Sequence, residues 1–136
     1  MHNPSNPPTL DGEMLRSWQS LSQGSDDDFL AEVIGLFLEG SPIMIEQMKG
    51  ECAAGDSIAL RKLGHKLRGS AANLGALALA QLCFDLETRA GAETETAQLS
   101  PLIAKIESEF GAVRACLETQ YLGKPPTPGC ELRARD

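Results

Sequence analysis

The sequence predicts an all-α protein, an antiparallel up-down four-helix bundle with an additional short N-terminal helix. Two observations carry this expectation. Apolar residues recur at helical spacing in four long segments, and no segment alternates with period two for long. The connections between those segments are short, which makes successive helices antiparallel neighbours. Composition agrees, because Leu and Ala dominate the apolar set and only 4% of the chain is aromatic.

Taken in order, residues 1–9 hold three Pro and two Asn and read as a disordered lead-in. A short helix is expected at 11–21, with Leu15, Trp18 and Leu21 on one side. Ser25-Asp26-Asp27-Asp28 then supplies an N-cap and the negative charge that suits a helix N-terminus. The long helix that follows carries Phe29, Val33, Leu36, Phe37, Ile43, Ile45 and Met48. Pro42 should kink it rather than end it, because the apolar period continues past the proline. Gly55-Asp56 separates it from a helix over about 57–73, with Asp56 as cap, and Asn73-Leu74-Gly75 closes the next turn. Leu79, Leu82, Cys83, Leu86 and Ala90 place a further helix at about 76–91. The last starts near 96–101, where Pro101 fits a first turn, and runs to about 121 on Leu102, Ile103, Ile106, Phe110, Val113 and Leu117. One bundle domain over 10–122 is therefore expected, followed by a disordered Pro- and Gly-rich tail at 123–136.

The chain of 136 residues is long enough to bury one core. Its formal charge of −7 argues against nucleic acid or anionic membrane as a general partner. No apolar run approaches the roughly 20 residues of a membrane span, and the polar N-terminus is no signal peptide. Cys52, Cys83, Cys116 and Cys130 show no metal-like spacing, so reduced thiols in a cytoplasmic protein are expected. Asp26-Asp27-Asp28 reads as a helix start rather than a metal site, and neither a metal nor a cofactor is called for.

His65 is the residue that carries chemistry. Four of the twelve basic residues, Arg61, Lys62, Lys66 and Arg68, lie around it, with no carboxylate among them. Turning 100° per residue places Leu60, Leu63, Leu67 and Leu74 within an arc of about 60°, the expected core face. His65 lies about 170° from the centre of that arc, so it points outward. Arg61, Arg68, Gly69 and Ala72 share its side, and Lys66 flanks it. A satisfied core histidine is thereby disfavoured, leaving a solvated basic face as the bland competitor. Against it stand Gly64 and Gly69, each costing about 1 kcal/mol against Ala in a helix interior. Gly69 sits one turn after His65 and would bare the imidazole to a partner. Neighbouring cations would face phosphate oxygens but repel a metal ion, which suits a nucleophilic nitrogen rather than a metal ligand.

The run His65-Lys66-Leu67-Arg68-Gly69-Ser70-Ala71-Ala72-Asn73-Leu74-Gly75 resembles the signature of histidine-containing phosphotransfer domains. Leu82-Cys83 and Leu86-Glu87 resemble the family's next helix, and Phe29-Leu30, Phe37 and Pro42 its preceding one, so the resemblance covers about residues 11–121. It implies that His65 accepts a phosphoryl group from an aspartyl phosphate on a response-regulator receiver domain and passes it to another receiver. Hybrid sensor histidine kinases are implied as partners too. The protein would be a monomeric phosphocarrier rather than an enzyme, with the receiver supplying the aspartate and Mg²⁺. Arg68 stands where the family has Lys, so phosphate or partner contact is expected of Arg68, Gly69, Arg61 and Lys66. Glu87 would accept a hydrogen bond from Nδ1–H of His65 and leave Nε2 free.

The alternative is a helical interaction module that docks an acidic partner on this basic face without phosphorylation. A hydrolase or metal protein is weaker, because His2 is the only other histidine and no companion residues stand in motif spacing. A sensor-kinase dimerisation hairpin would need a longer coiled-coil pattern beside an ATP-binding domain.

Overall fold

Pro42 lies inside an unbroken helix. In the computed structural model, which describes residues 10–11, 13, 28–92, 95–121 and 132–133, helix α1 runs from Asp28 to Ala54 straight through the proline. Proline has no N–H, so the carbonyl of Leu38, four residues earlier, loses its helical donor. Arg114 of the last helix replaces it, with Nη2 donating to that oxygen at 3.2 Å. The same guanidinium lies 5.3 Å from the centre of the Phe110 ring. A break in one helix is thus repaired from another.

Helix α1 ends in a left-handed glycine. Gly55 has φ +79°, its N–H donates to Cys52 O at 3.3 Å, and Asp56 N–H reaches back to Glu51 O at 3.0 Å. This is a Schellman closure, which satisfies carbonyls that the helix end leaves open. Asp56 then starts α2 (Ser57–Asn73), its Oδ1 accepting from Ala59 N–H at 3.0 Å. The device recurs at the other end, where Gly75 at φ +76° and Ala76 close onto Ala72 O and Ala71 O. Helix α3 (Leu77–Gly91) follows, then a 3-10 turn (Thr96–Leu99) and α4 (Ser100–Tyr121), with Pro101 in the first turn. Cys52 Sγ donates to Thr96 O at 3.0 Å and Thr96 Oγ1 to Cys52 O at 3.1 Å, tying the end of α1 to that turn.

These closures fold the four helices into an antiparallel bundle. α2 packs on α1 and α3, α4 packs on α1 and α3, and the α2–α3 seam is the most extensive. Ile34, Ile45, Met48, Leu60, Leu67, Leu79, Leu86 and Ile106 form the fully buried centre. Phe37 and Phe110 cross between α1 and α4 with ring centres 5.7 Å apart.

Two features depart from the sequence expectation. Leu10–Asp11 (β1) pairs in parallel with Leu132–Arg133 (β2), Leu10 opposite Leu132. Leu10 is fully buried in the core, so residues expected in a disordered tail supply a strand partner to a core residue. The second concerns the start of the chain. Of the helix expected at 11–21, only Asp11, in β1, and Glu13, in a helical conformation, are among the described residues. The rest of that expectation, and the cap expected at Ser25-Asp26-Asp27, lie outside them. No helix among the described residues is long and apolar enough to cross a membrane.

Candidate phosphotransfer site

Helix α2 buries Leu60, Gly64, Leu67 and Ala71, while Leu63 is only partly covered. The buried face is therefore turned toward Gly64 relative to the leucine stripe. The cause is local. A Cβ on Gly64 would stand 3.0 Å from the carbonyl oxygen of Cys83 and 3.2 Å from the backbone nitrogen of Glu87. Glycine lets the α3 backbone press directly on α2. The helix interior cost of Gly64 thus belongs to packing, whereas a Cβ on Gly69 would meet open space.

That close approach determines what His65 faces. The ring stays outward, with 66% of the side chain exposed. Its Nδ1 lies 3.0 Å from Glu87 Oε2. The other carboxylate oxygen, Oε1, accepts from Arg68 Nε at 3.0 Å. Arg68 Nη2 also comes within 3.2 Å of His65 Nδ1. The guanidinium lies over the Phe84 ring, 5.4 Å from its centre, within cation–π range. Phe84, Arg68 and Glu87 therefore form a continuous support along one edge of the imidazole, and among the described residues no hydrogen-bond partner meets Nε2.

Arg61, Lys62, His65 and Glu87 line one shallow depression. Arg61 leans across to α3, where its Cδ passes 3.3 Å from the place a Cβ on Gly91 would take. Lys66 is exposed on the flank of α2, and Gly69 is exposed one turn beyond His65. The structure thus brings His65, Arg68 and Glu87 into direct contact and sets Arg61 beside them. Lys66 and Gly69 border the site.

The sequence reading missed Phe84 altogether and missed the role of Gly64. Phe84 looks like an isolated aromatic on a helix, and its position three residues before Glu87 was the available clue, since i and i+3 share a face. Gly64 gave a signal, its cost in a helix interior, but the sequence offered no packing role for it, and only Gly69 was read as clearing space. Beneath the site, burial pushes the Cys83 thiol up to about 12, against the opposing pull of the Arg68 charge. Cys83 is therefore an inert thiol at neutral pH. Among the described residues, no three or more His, Cys, Asp or Glu side chains converge as metal ligands.

The Hpt domain family profile matches residues 32–119, which include His65, Arg68 and Glu87. The chain belongs to the Hpt domain family. As such it is a histidine phosphotransfer domain of the phosphorelay type. Solved Hpt structures agree with the bundle. Histidine-containing phosphotransfer protein B from Pseudomonas aeruginosa PAO1 has a TM-score of 0.74 at 28% identity, covering 87% of this chain and 98% of that one. Ypd1 of Saccharomyces cerevisiae, solved in complex with the receiver domain of its downstream response regulator Ssk1, has a TM-score of 0.74 at 17% identity, covering 85% and 95%. The Hpt domain of a sensor hybrid histidine kinase from Shewanella has 0.63 at 20%, covering 83% and 97%. The last two show the fold alone. A comparison with curated proteins returned no match.

Proposed function

We propose that His65 is the phosphoryl acceptor of this Hpt domain, and that it relays the group between receiver-domain aspartates. One observation carries the assignment: His65 is exposed while the Glu87 carboxylate stands at its Nδ1. An ionised carboxylate only accepts and a guanidinium only donates, so a single ring nitrogen cannot bond both. A lone pair on Nδ1 would face the Glu87 carboxylate at 3.0 Å, which is repulsive. A proton there makes a charge-assisted bond instead. Nδ1–H therefore donates to Glu87, and the lone pair resides on the outward Nε2.

The chemistry then balances simply. The Nε2 lone pair attacks phosphorus of a receiver aspartyl phosphate, an N–P bond forms, and the P–O bond to the aspartate breaks. The carboxylate leaves with the bonding electrons. The ring keeps its Nδ1 proton and becomes positively charged, facing Glu87, and onward transfer reverses these steps. This chain contributes an accessible nucleophile on a rigid helix, and the receiver contributes the aspartate and the Mg²⁺. Arg61 and Lys66 add positive charge to the exposed face, and Gly69 leaves room for the incoming receiver.

The partners are receiver domains, free or attached to hybrid sensor kinases, and the protein acts as a monomer in the cytoplasm. A groove between α1 and the end of α2, lined by Val33, Leu36, Met44, Ser70 and Leu74, offers a receiver apolar surface near the histidine. A purely acidic docking partner fits less well, because Glu87 stands at the centre of the basic face.

The test is transfer from a phosphorylated receiver. The wild type should acquire acid-labile, base-stable phosphate, and His65→Gln should acquire none while its stability stays within about 0.5 kcal/mol. Full labelling of His65→Gln, or a wild type that no receiver of the same organism labels, would sink the proposal.

A further inference from the structure

We infer that Arg61 is the cation that contacts the phosphoryl group carried by His65, and that Gly91, at the end of α3, leaves it the room to do so. The inference rests on the proposed role of His65 and adds the group that meets the phosphoryl oxygens. Arg68 is already committed elsewhere. Its Nε–H donates to Glu87 Oε1, and its flat face lies over Phe84. It is not among the walls of the depression that Arg61, Lys62, His65 and Glu87 form. Arg61 differs on each count. It is exposed, it lines that depression together with the ring, and no carboxylate or carbonyl among the described residues takes its guanidinium.

Helix geometry brings the two side chains together. Arg61 stands four residues before His65, which sets their Cβ atoms about 5–6 Å apart on one face. A helical side chain leans over the turn before its own Cα, so the imidazole tilts toward the turn that carries Arg61. Arg61 in turn leans across to α3. Its Cδ lies 3.3 Å, and its Nη1 4.0 Å, from the place a Cβ on Gly91 would take. Gly91 does not serve a left-handed turn, since Gly55 and Gly75 are the described glycines with positive φ. Its missing side chain serves the arginine laid against it. With its stem along α3, Arg61 presents a planar guanidinium that can donate to two phosphoryl oxygens at once. Lys62 shares the depression as a point charge on a flexible stem. The C-terminal end of α3 would itself attract a cation, but a role confined to that would leave the phosphoryl group unaffected.

The experiment labels His65 without a receiver. His2 and His65 are the only histidines, so in a His2→Gln background the small-molecule donor phosphoramidate gives one phosphohistidine signal in ³¹P spectra. The chemical shift is then followed against pH. A guanidinium at the phosphoryl oxygens favours the dianion and lowers the midpoint of its titration. Arg61→Gln should raise that midpoint by about half a pH unit, a contact discounted for exposure. Gly91→Leu keeps every charge but displaces the arginine, and should move the midpoint the same way. Lys62→Gln should move it less than Arg61→Gln does. Transfer from a phosphorylated receiver should slow about fivefold in Arg61→Gln. The inference is overturned if Arg61→Gln or Gly91→Leu leaves the midpoint in place, whatever the change in stability. It is also overturned if Lys62→Gln matches Arg61→Gln, which would reduce the effect to general charge. Because the labelling needs no receiver, a protein that phosphoramidate labels and no phosphorylated receiver labels defeats the relay reading, while the titration still decides the role of Arg61.

Discussion

Two arginines in this bundle make almost the same contacts for different ends. Arg114 lies over Phe110 at 5.3 Å and Arg68 over Phe84 at 5.4 Å. Each then donates hydrogen bonds across a helix–helix seam. Arg114 donates to the carbonyl that Pro42 leaves without a helical partner, so it offsets a defect in the fold. Arg68 donates to a carboxylate whose other oxygen holds a histidine, so its constraint is delivered to an exposed ring. An aromatic platform supplies rigidity in both places, and the acceptor decides whether that rigidity serves stability or chemistry.

The comparison can be broken most forcefully at Gly64, beneath the Arg68 side. Gly64→Val sets new atoms against the backbone of Cys83 and Glu87. The expected loss is about 2–3 kcal/mol in a denaturant melt, together with loss of the Nδ1–H form of His65 in two-bond ¹H–¹⁵N correlation spectra. Unchanged stability would show that α2 and α3 have slack at this crossing. The Arg114 side offers the next effect. Arg114→Ala should cost about 1–2 kcal/mol by orphaning the Leu38 carbonyl, with phosphoryl acceptance unchanged. In a Pro42→Ala background that cost should shrink, because residue 42 regains its own donor. Equal costs in both backgrounds would separate Arg114 from the proline. The smallest effect concerns Cys83, below Arg68. Its folded value of about 12 lies above the ordinary 9.0. The unfolded chain therefore ionises first as pH rises, and the stability linked to the neutral thiol is present below about 9 and lost on the way to about 12. Replacing Cys83 with Ala should flatten that alkaline decline in urea titrations, and an unchanged slope would count against burial as the cause.

Legibility followed the range of the forces involved. The limits of α2 were readable because Gly55, Asp56 and Gly75 act within a few residues of where they stand, through a left-handed backbone or a cap. The outward direction of His65 was readable because helical rotation is local geometry. The exact rotation of α2 was not, because the leucine stripe competes with the Gly64 contact, and that contact depends on a backbone 19 residues further along the chain at Cys83. The strand at Leu132–Arg133 was missed for a similar reason, since two residues acquire meaning only from a partner at the other end of the chain.

The sequence by itself determined a helical bundle, its turns, an exposed histidine among cations and the signature of a phosphotransfer family. These are matters of periodicity, capping and motif, all written in neighbouring residues. The tertiary structure alone decided that Glu87 and Arg68 meet on the Nδ1 edge of His65, that Phe84 supports them, and that Gly64 permits the approach. Each of these is a distance between helices, set by packing that no single helix contains.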